Sequence, residues 1–237
     1  MEVFCMTVKK EFPTEAIQHS DVLSILTAKE RKDIEAHAYF RHYKKGQLLF
    51  MEGDPRERFY MVVKGYVRLE KTNTSGTTRF DAFLKPSSFF PYEGLFYDED
   101  YSYSAEAFTD VDLLYIPTYY FEGLLKRNKK LLMNLVRCLT NKIVMLEHRL
   151  LSMTNSSASK RIIQLLGYLA EDLGEERDGA IVIPCPITTV EAAKLTGTSR
   201  ETVSHVFSSL KKEEKLVIQK NKNLILKDPT HFLSTIA

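Results

Sequence analysis

A short stretch near the C-terminus carries side chains that can contact the bases of duplex DNA. Arg200, Glu201, Ser204 and His205 lie close together on the polar side of one predicted helix. An arginine fork can donate twice to guanine, and a glutamate can accept from the amino group of cytosine. Because a recognition helix presents its base-contacting residues near its N-terminus, the pattern predicts that such a helix begins just after Ser199.

Two amphipathic patterns on either side of Gly197 predict the elements that would position this helix. Apolar residues recur at helical spacing on both sides of the glycine: Ala192, Ala193 and Leu195, then Val203, Val206, Phe207 and Leu210. Gly197 suits a tight turn that needs a positive φ, and Ser199 is placed to cap the second helix. The segment Thr188–Val217 therefore predicts a helix-turn-helix, with two helices that merely pack together as the alternative.

A basic hairpin is predicted directly after the second helix. The apolar segments Leu216–Ile218 and Leu224–Leu226 flank a polar turn that contains Lys220 and Lys222. Lysines at such a tip contact phosphates and add affinity that does not depend on sequence. The predicted partner is double-stranded DNA, and the residues predicted to contact it are Thr188, Thr198, Ser199, Arg200, Glu201, Ser204, His205, Lys211, Lys220 and Lys222.

The composition is that of a globular protein with room for two modest domains. The chain has 237 residues, 44% of them hydrophobic, and a net charge of +2, so any charge that attracts DNA must be local. Cys5, Cys138 and Cys185 lie far apart, which supports neither a zinc site nor a disulfide framework. We expect no metal, no cofactor and no catalytic residue. Because the chain lacks both a signal-peptide pattern and an apolar run of roughly 20 residues, the expected location is the cytoplasm.

The first half of the chain predicts helices followed by many short strands. Thr27 can cap a helix over Ala28–His37, with Glu30 completing a capping box. From Phe40 to Pro117, short apolar or alternating runs are separated by turn residues, which is typical of a β-sandwich or barrel. The runs are Gln47–Phe50, Phe59–Val63, Tyr66–Lys71, Arg79–Leu84, Tyr103–Phe108 and Val111–Ile116.

A long helix with a heptad pattern is predicted after the strands. Its apolar positions are Leu132, then Val136, Ile143 and Leu150 at a, and Leu139, Leu146 and Met153 at d. β-Branched residues at a with leucine at d favour a parallel two-stranded coil, so the pattern predicts a homodimer. The alternative is a helix buried against its own barrel. Thr154–Ser157 then breaks the pattern and predicts a hinge, followed by a helix over Ser159–Leu173 and a charged loop over Gly174–Gly179.

This order of elements, with three sequence segments, resembles the Crp/Fnr family of bacterial transcription regulators. The segments are KKGQLLFMEGDPRERFYMVVKGYVRL at Lys44–Leu69, EGLF at Glu93–Phe96 and GTSRETVSHV at Gly197–Val206. The resemblance covers nearly the whole chain. It implies an α+β fold with a cyclic-nucleotide-binding-like jelly-roll β-barrel, a long coiled-coil dimerisation helix and a C-terminal winged helix-turn-helix. The corresponding domains would be residues 1–127, 128–155 and 156–237.

Two departures from the family pattern argue against cyclic AMP as the effector. In cyclic-AMP-binding members a glutamate holds the ribose and an arginine neutralises the phosphate, whereas this chain has Tyr92 and Tyr103 at those positions. A buried phosphate without a cation is costly, and Ser87–Ala105 contains no lysine or arginine. Glu93 would add repulsion.

The aromatic residues of the barrel leave the effector, if there is one, unknown. They either line a pocket or fill the site as a structural core. The candidate pocket residues are Phe90, Tyr92, Glu93, Tyr103 and Ser104. Iron–sulfur members of the family carry an N-terminal cysteine cluster, whereas this chain has only Cys5 there. Haem-binding members use barrel or N-terminal ligands, for which His37 and His42 stay open.

The resemblance implies a homodimer that binds a near-palindromic operator and contacts RNA polymerase. Members with Arg-Glu at the start of this helix, and another arginine four residues after the glutamate, bind operators with a TGA core. This chain has His205 at that last position, which predicts a TGA-like half-site with weaker discrimination at one guanine. Within the family, the chain resembles the branch that regulates arginine deiminase genes in Gram-positive bacteria.

Other functions compete with this interpretation. A thiol-redox response would use Cys5, with Lys9 and Lys10 nearby in sequence. A cupin-type enzyme is disfavoured because Lys44–Pro117 contains no histidine that could bind a metal. A cyclic-nucleotide-binding module without DNA binding is opposed by Tyr103 and by the predicted recognition helix.

Overall fold

The computed structural model describes residues 12–72, 79–153 and 157–236. These residues belong to two compact units, Met1–Thr140 and Asn141–Ala237. The first unit contains α1 (Thr14–Gln18), α2 (Ala28–His37), β1 (Tyr39–Tyr43), β2 (Leu48–Phe50), β3 (Arg58–Lys64), β4 (Val67–Thr72), β5 (Arg79–Leu84), β6 (Phe89–Phe90), β7 (Ser104–Ala107), β8 (Val111–Pro117), α3 (Thr118–Arg127) and the start of α4 (Lys129–Met153). The second contains the rest of α4, then α5 (Ala158–Leu173), β9 (Glu175–Arg177), β10 (Ala180–Ile183), α6 (Thr189–Thr196), α7 (Arg200–Lys212), β11 (Leu216–Ile218), β12 (Leu224–Leu226) and α8 (Pro229–Leu233).

The strands of the first unit form two antiparallel sheets that share an interior, as the predicted jelly-roll barrel requires. One sheet has the order β1-β8-β3-β6 and the other β2-β7-β4-β5. Because side chains alternate along a strand, β3 contributes Tyr60 and Val62 to the shared interior and Phe59 and Met61 to the opposite face. That opposite face packs on the helices of the unit. The α+β fold with a jelly-roll barrel and a winged helix-turn-helix is confirmed.

Local signals placed several helices correctly. Thr27 and Glu30 form the predicted capping box of α2, with reciprocal hydrogen bonds of 3.3 and 2.8 Å. Ser157 caps α5, its hydroxyl accepting from the N–H of Lys160 at 3.3 Å. The remaining residues of the predicted hinge, 154–156, lie outside the described part of the chain.

One element differs from its prediction. The sequence predicts a loop over residues 174–179, whereas the structure has β9 paired with β10 through a turn at Asp178-Gly179. Both turn residues have positive φ, 51° and 77°, which is the geometry that favours Asp-Gly in a tight hairpin. Every residue of β9 is exposed, so no apolar alternation marked it as a strand.

Candidate nucleic-acid interface and effector barrel

The helices α6 and α7 form the predicted helix-turn-helix, and hydroxyl caps define where each begins. Thr188 caps α6 by accepting from the N–H of Glu191 at 3.3 Å. Gly197 has φ 59° and closes α6 through its N–H, in the left-handed conformation that glycine tolerates. Ser199 then caps α7 by accepting from the N–H of Thr202 at 3.1 Å.

The two faces of α7 have opposite character. Its buried side chains are Val203, Val206, Phe207 and Leu210, which pack into the second unit. Its predicted base-contacting residues Arg200, Glu201, Ser204 and His205 are all exposed. Hydrogen bonds from its own backbone N–H and from Ser199 lower the pKa of the Glu201 carboxyl, so this side chain is a charged acceptor at neutral pH.

The turn between the two helices is held from inside the unit. Arg161 on α5 donates through Nε to the backbone oxygen of Thr196 at 3.0 Å, which satisfies a carbonyl at the end of α6. The hydroxyls of Thr196 and Thr198 are 3.0 Å apart, so Thr198 also supports the turn. Sequence reasoning missed Arg161, although the carbonyls that end every helix require a donor.

The predicted basic hairpin is formed by β11 and β12, with Val217 opposite Ile225. Its tip closes through a 2.9 Å hydrogen bond from the N–H of Lys222 to the oxygen of Gln219. Lys222 has φ 68°, and both Lys220 and Lys222 are exposed. Lys211 is exposed in the last turn of α7. The second unit therefore contains all of the residues predicted to contact DNA.

Aromatic rings fill the interior of the barrel around Phe50. The ring of Phe50 lies 3.7 Å from Tyr101, 5.7 Å from Tyr60, 5.9 Å from Tyr103 and 6.4 Å from Phe90, measured between centroids. All five side chains are buried. Two of the candidate pocket residues, Phe90 and Tyr103, thus belong to a packed aromatic cluster.

The other candidate pocket residues have different surroundings. Tyr92 packs against the core that Phe59 and Met61 form with the helices (the helix-side cluster) rather than against the barrel interior. Burial raises the pKa of its phenol. Tyr103 hydrogen-bonds with the exposed Glu93. The pKa of Tyr103 is raised mainly by burial and, to a smaller extent, by this acidic neighbour. The hydroxyl of Ser104 accepts from the backbone N–H of Glu52 at 2.9 Å. The position that Tyr103 holds therefore presents a neutral phenol beside a carboxylate.

A buried arginine that sequence reasoning missed anchors the loop that follows β6. Arg56 donates through Nη2 to Glu122 at 2.7 Å and through Nε to the oxygen of Asp98 at 3.1 Å. Its backbone N–H donates to the oxygen of Glu99 at 2.6 Å. Because this cation lies outside Ser87–Ala105, the composition of that run gave no sign of it. The arginine is already paired with a carboxylate.

The apolar stripe of α4 is divided between burial and exposure. Leu132 and Leu139 pack partly against the helix-side cluster of the first unit. For these two residues, the alternative to a coiled coil, packing against the chain's own core, is therefore partly observed. The exposed members are Val136 at 48%, Ile143 at 56%, Leu146 at 50% and Leu150 at 70%. The side chain of Met153 lies outside the described residues.

The histidines and cysteines with open roles mostly have structural partners. The ring of His37 stacks on Tyr120 with centroids 3.9 Å apart, and Nδ1 of His42 is 2.8 Å from Asp112. Cys185 is fully buried, and burial raises the pKa of its thiol. Cys5, Lys9 and Lys10 lie outside the described residues.

Two further properties concern metals and membranes. Within the described ranges, no group of three or more His, Cys, Asp or Glu side chains could hold a metal ion. None of the helices described is long and apolar enough to cross a bilayer.

Comparisons with protein families match both parts of the chain. The family described as cyclic nucleotide-binding domain matches residues 40–128, and the family described as Crp-like helix-turn-helix domain matches residues 160–233. The HTH-type transcriptional regulator ArcR of Staphylococcus epidermidis is 28% identical over 195 residues, which are 82% of this chain and 85% of the relative. ArcR of Staphylococcus aureus is 27% identical over 192 residues, 81% of each chain.

Solved structures share the fold. FixK2 from Bradyrhizobium japonicum matches with a TM-score of 0.72 and 22% identity, covering 84% of this chain and 98% of that one. A CooA mutant from Carboxydothermus hydrogenoformans matches with a TM-score of 0.70 and 21% identity, covering 92% and 97%. A Crp/Fnr family transcriptional regulator from Thermus thermophilus is 28% identical, with a TM-score of 0.60 over 83% and 97% of the two chains. The relatives and the fold are those of transcription regulators rather than enzymes.

Proposed function

Because the chain belongs to the Crp/Fnr family of transcription regulators, we propose that it binds a near-palindromic operator with a TGA-like half-site as a homodimer. The exposed N-terminal part of α7 carries this proposal. Arg200 would donate to guanine and the charged Glu201 would accept from cytosine, while Ser204 and His205 extend the contact surface along the same face. Ser199 and Thr188 lie at helix N-termini, where a hydroxyl or backbone N–H can contact a phosphate.

The wing would supply affinity rather than specificity. Lys220 and Lys222 are exposed at the hairpin tip, and Lys211 is exposed at the end of α7. Lysines in such places neutralise phosphates beside the groove and position the helix without distinguishing bases.

The dimer would form through the exposed part of the α4 stripe. Val136, Ile143, Leu146 and Leu150 lie at the a and d positions that a parallel partner helix would cover. Two-fold symmetry of such a dimer is what requires two inverted half-sites. On this basis residues 1–127 form the effector-type domain, 128–155 the dimerisation helix and hinge, and 156–237 the DNA-binding domain.

The regulated genes are proposed from the relatives. ArcR-named regulators of staphylococci are similar along most of the chain, so arginine deiminase or anaerobic metabolism genes are the first candidates. A regulator of this kind would act in the cytoplasm and contact RNA polymerase. Cyclic AMP is not the proposed effector, because Tyr103 stands where its phosphate needs a cation and the neighbouring Glu93 adds negative charge.

Selection from a random duplex library tests the proposal. The full chain is incubated with the library at fixed salt, and bound fragments are sequenced after several rounds. We expect an inverted repeat of TGA-like half-sites for the natural chain and a relaxed position in each half-site for Arg200→Ala. Enrichment of a single asymmetric motif, or of none, would contradict the proposed dimer and its half-site.

A further inference from the structure

The inward face of one barrel sheet carries two arginines that no described carboxylate pairs with. Arg41 on β1 and Arg58 on β3 each lie two residues before a tyrosine of the barrel interior, Tyr43 and Tyr60, so all four lie on that face. Arg58 is half-buried, and Arg41 is exposed on a strand at the edge of its sheet. Neither arginine forms an ion pair with any residue that the structure describes.

Two other arginines of the first unit are paired with carboxylates. Arg56 is 2.7 Å from Glu122, and Arg68 is 2.6 Å from Glu106. A partly buried guanidinium normally needs such a partner, because the free energy lost when the charge leaves water exceeds the free energy gained from contacts with neutral groups. Arg58, by contrast, is partly buried without a carboxylate partner among the described residues.

Aromatic faces lie against the two guanidinium groups, and both charges are near enough to act on the phenol of Tyr43. Arg41 lies 5.2 Å from the ring centre of Tyr43, and Arg58 lies 4.9 Å from that of Tyr115. These are cation–π distances. Tyr39 stacks on Tyr115 with centroids 5.2 Å apart and is half-exposed, so a flat aromatic surface continues to the edge of the sheet.

Phenol groups fix the position of Arg58 without neutralising it. The hydroxyl of Tyr101 donates to the backbone oxygen of Arg58 at 3.0 Å and accepts from its N–H at 3.1 Å. The side chain of Arg58 also hydrogen-bonds with Tyr60. Burial raises the pKa of Tyr43 to about 12, so its hydroxyl remains a neutral donor at physiological pH. A guanidinium has five N–H donors, more than these neutral contacts use.

We propose that Arg58 and Arg41, with the hydroxyl of Tyr43, bind the carboxylate or phosphate group of a small molecule on this face of the sheet. A guanidinium group that is held against aromatic rings can donate two parallel hydrogen bonds to a carboxylate or a phosphate. The surface of Tyr39 and Tyr115 favours a flat body attached to that group. The site uses neither Tyr92 nor Tyr103, and it does not depend on DNA binding.

Titration of the full chain without DNA tests this site. Sodium benzoate and sodium phosphate are added separately at constant ionic strength, with sodium chloride as the reference, and binding is followed by calorimetry and by tyrosine fluorescence. The chain has 12 Tyr and no Trp, so its emission reports directly on phenols. We expect saturable binding of at least one of the two oxyanions and a higher melting temperature in its presence. Binding of benzoate alone would assign the site to carboxylates, and binding of phosphate alone to phosphates.

Variants locate the binding. Arg58→Gln should weaken affinity at least tenfold and Arg41→Gln by a smaller factor, whereas the exposed Arg127→Gln on α3 should change nothing. If Arg58→Gln does not fold, Arg58→Lys and Arg41→Gln decide instead, since loss of affinity in either supports the site. No binding beyond the chloride reference, unchanged affinity in the folded Arg58 and Arg41 variants, or an equal loss in Arg127→Gln would overturn the proposal.

Discussion

The guanidinium of Arg56 lies 2.7 Å from the carboxylate of Glu122, and only 4% and 16% of the two side chains are exposed. The same carboxylate accepts from the backbone N–H of Phe96 at 3.1 Å, while Arg56 donates to the oxygen of Asp98. This ion pair therefore ties the loop after β6 to α3. The pair thereby fixes the backbone of this loop at Phe96 and Asp98.

Glu122→Gln should destabilise the first unit. The substitution removes the negative charge that balances Arg56 and leaves a buried guanidinium without a counter-charge, which costs about 3–5 kcal/mol. Chemical denaturation should show a lower unfolding midpoint. Lys44→Ala is the matched control, because Lys44 and Asp110 form an exposed pair whose loss should barely move the midpoint. Equal shifts in both variants would mean that burial does not govern the Arg56–Glu122 pair.

The natural chain should not bind cyclic AMP, and Tyr103→Arg should not create a site for it. An arginine at this position would face Glu93, and the stacked rings of Phe50 and Tyr101 occupy the adjoining interior. Calorimetry with millimolar nucleotide should show no saturable heat for either protein. Micromolar binding by the natural chain, or a requirement for cyclic AMP in operator binding, would refute this expectation.

Ile143→Lys should convert the proposed dimer into a monomer. Ile143 is 56% exposed in the single chain, and a partner helix would bury it at an a position. A lysine there would bring a charge into the seam at a cost of several kcal/mol, roughly that of an unpaired buried ion. Sedimentation should show a monomer for this variant and a dimer for Asn141→Lys, which is exposed on the other side of α4. A dimeric Ile143→Lys protein would place the interface elsewhere.

Periodicity and caps explain why so much of the fold could be predicted. The alternating runs of the barrel, the heptads of α4 and the caps at Thr27 and Ser199 are local signals, and each corresponds to an observed element. The heptad pattern does not indicate whether the chain's own core or a second helix covers each residue, because the apolar spacing is the same in both cases. Leu132 and Leu139 are therefore partly covered by the chain's own first unit.

What the sequence could not show depends on residues distant along the chain. Arg56 and Glu122 are 66 residues apart, and neither has a local pattern that indicates the pair. The unbalanced Arg58 is likewise recognisable only once the strands place it among phenols. By contrast, the Asp178-Gly179 pair is a local signal for the hairpin, but β9 has no apolar residue that would indicate a strand beside it.

Arg200→Ala and Lys220→Ala should weaken DNA binding in different ways. Loss of Arg200 should cost about 1–3 kcal/mol on the best operator and relax preference at one base position, because a base contact disappears. Loss of Lys220 should weaken all sequences alike and lower the salt slope by about one, because a phosphate contact disappears. Binding to a base-substituted operator series at several salt concentrations separates the two. An equal loss over all sequences for Arg200→Ala would make Arg200 a phosphate contact.

His205→Arg should sharpen the recognition of one guanine in each half-site. His205 is exposed one turn after Glu201, at the position where the family resemblance implies a second arginine. A neutral imidazole donates one hydrogen bond, whereas an arginine donates a bidentate pair worth about 1–3 kcal/mol of discrimination against the wrong base. The measurement is the ratio of affinities for operators with guanine and with adenine at that position, for both proteins. His205→Lys is the matched control, since it adds the same charge without the fork. If lysine raised the ratio as much as arginine, added charge would explain the gain, and the bidentate contact assigned to this position would be wrong.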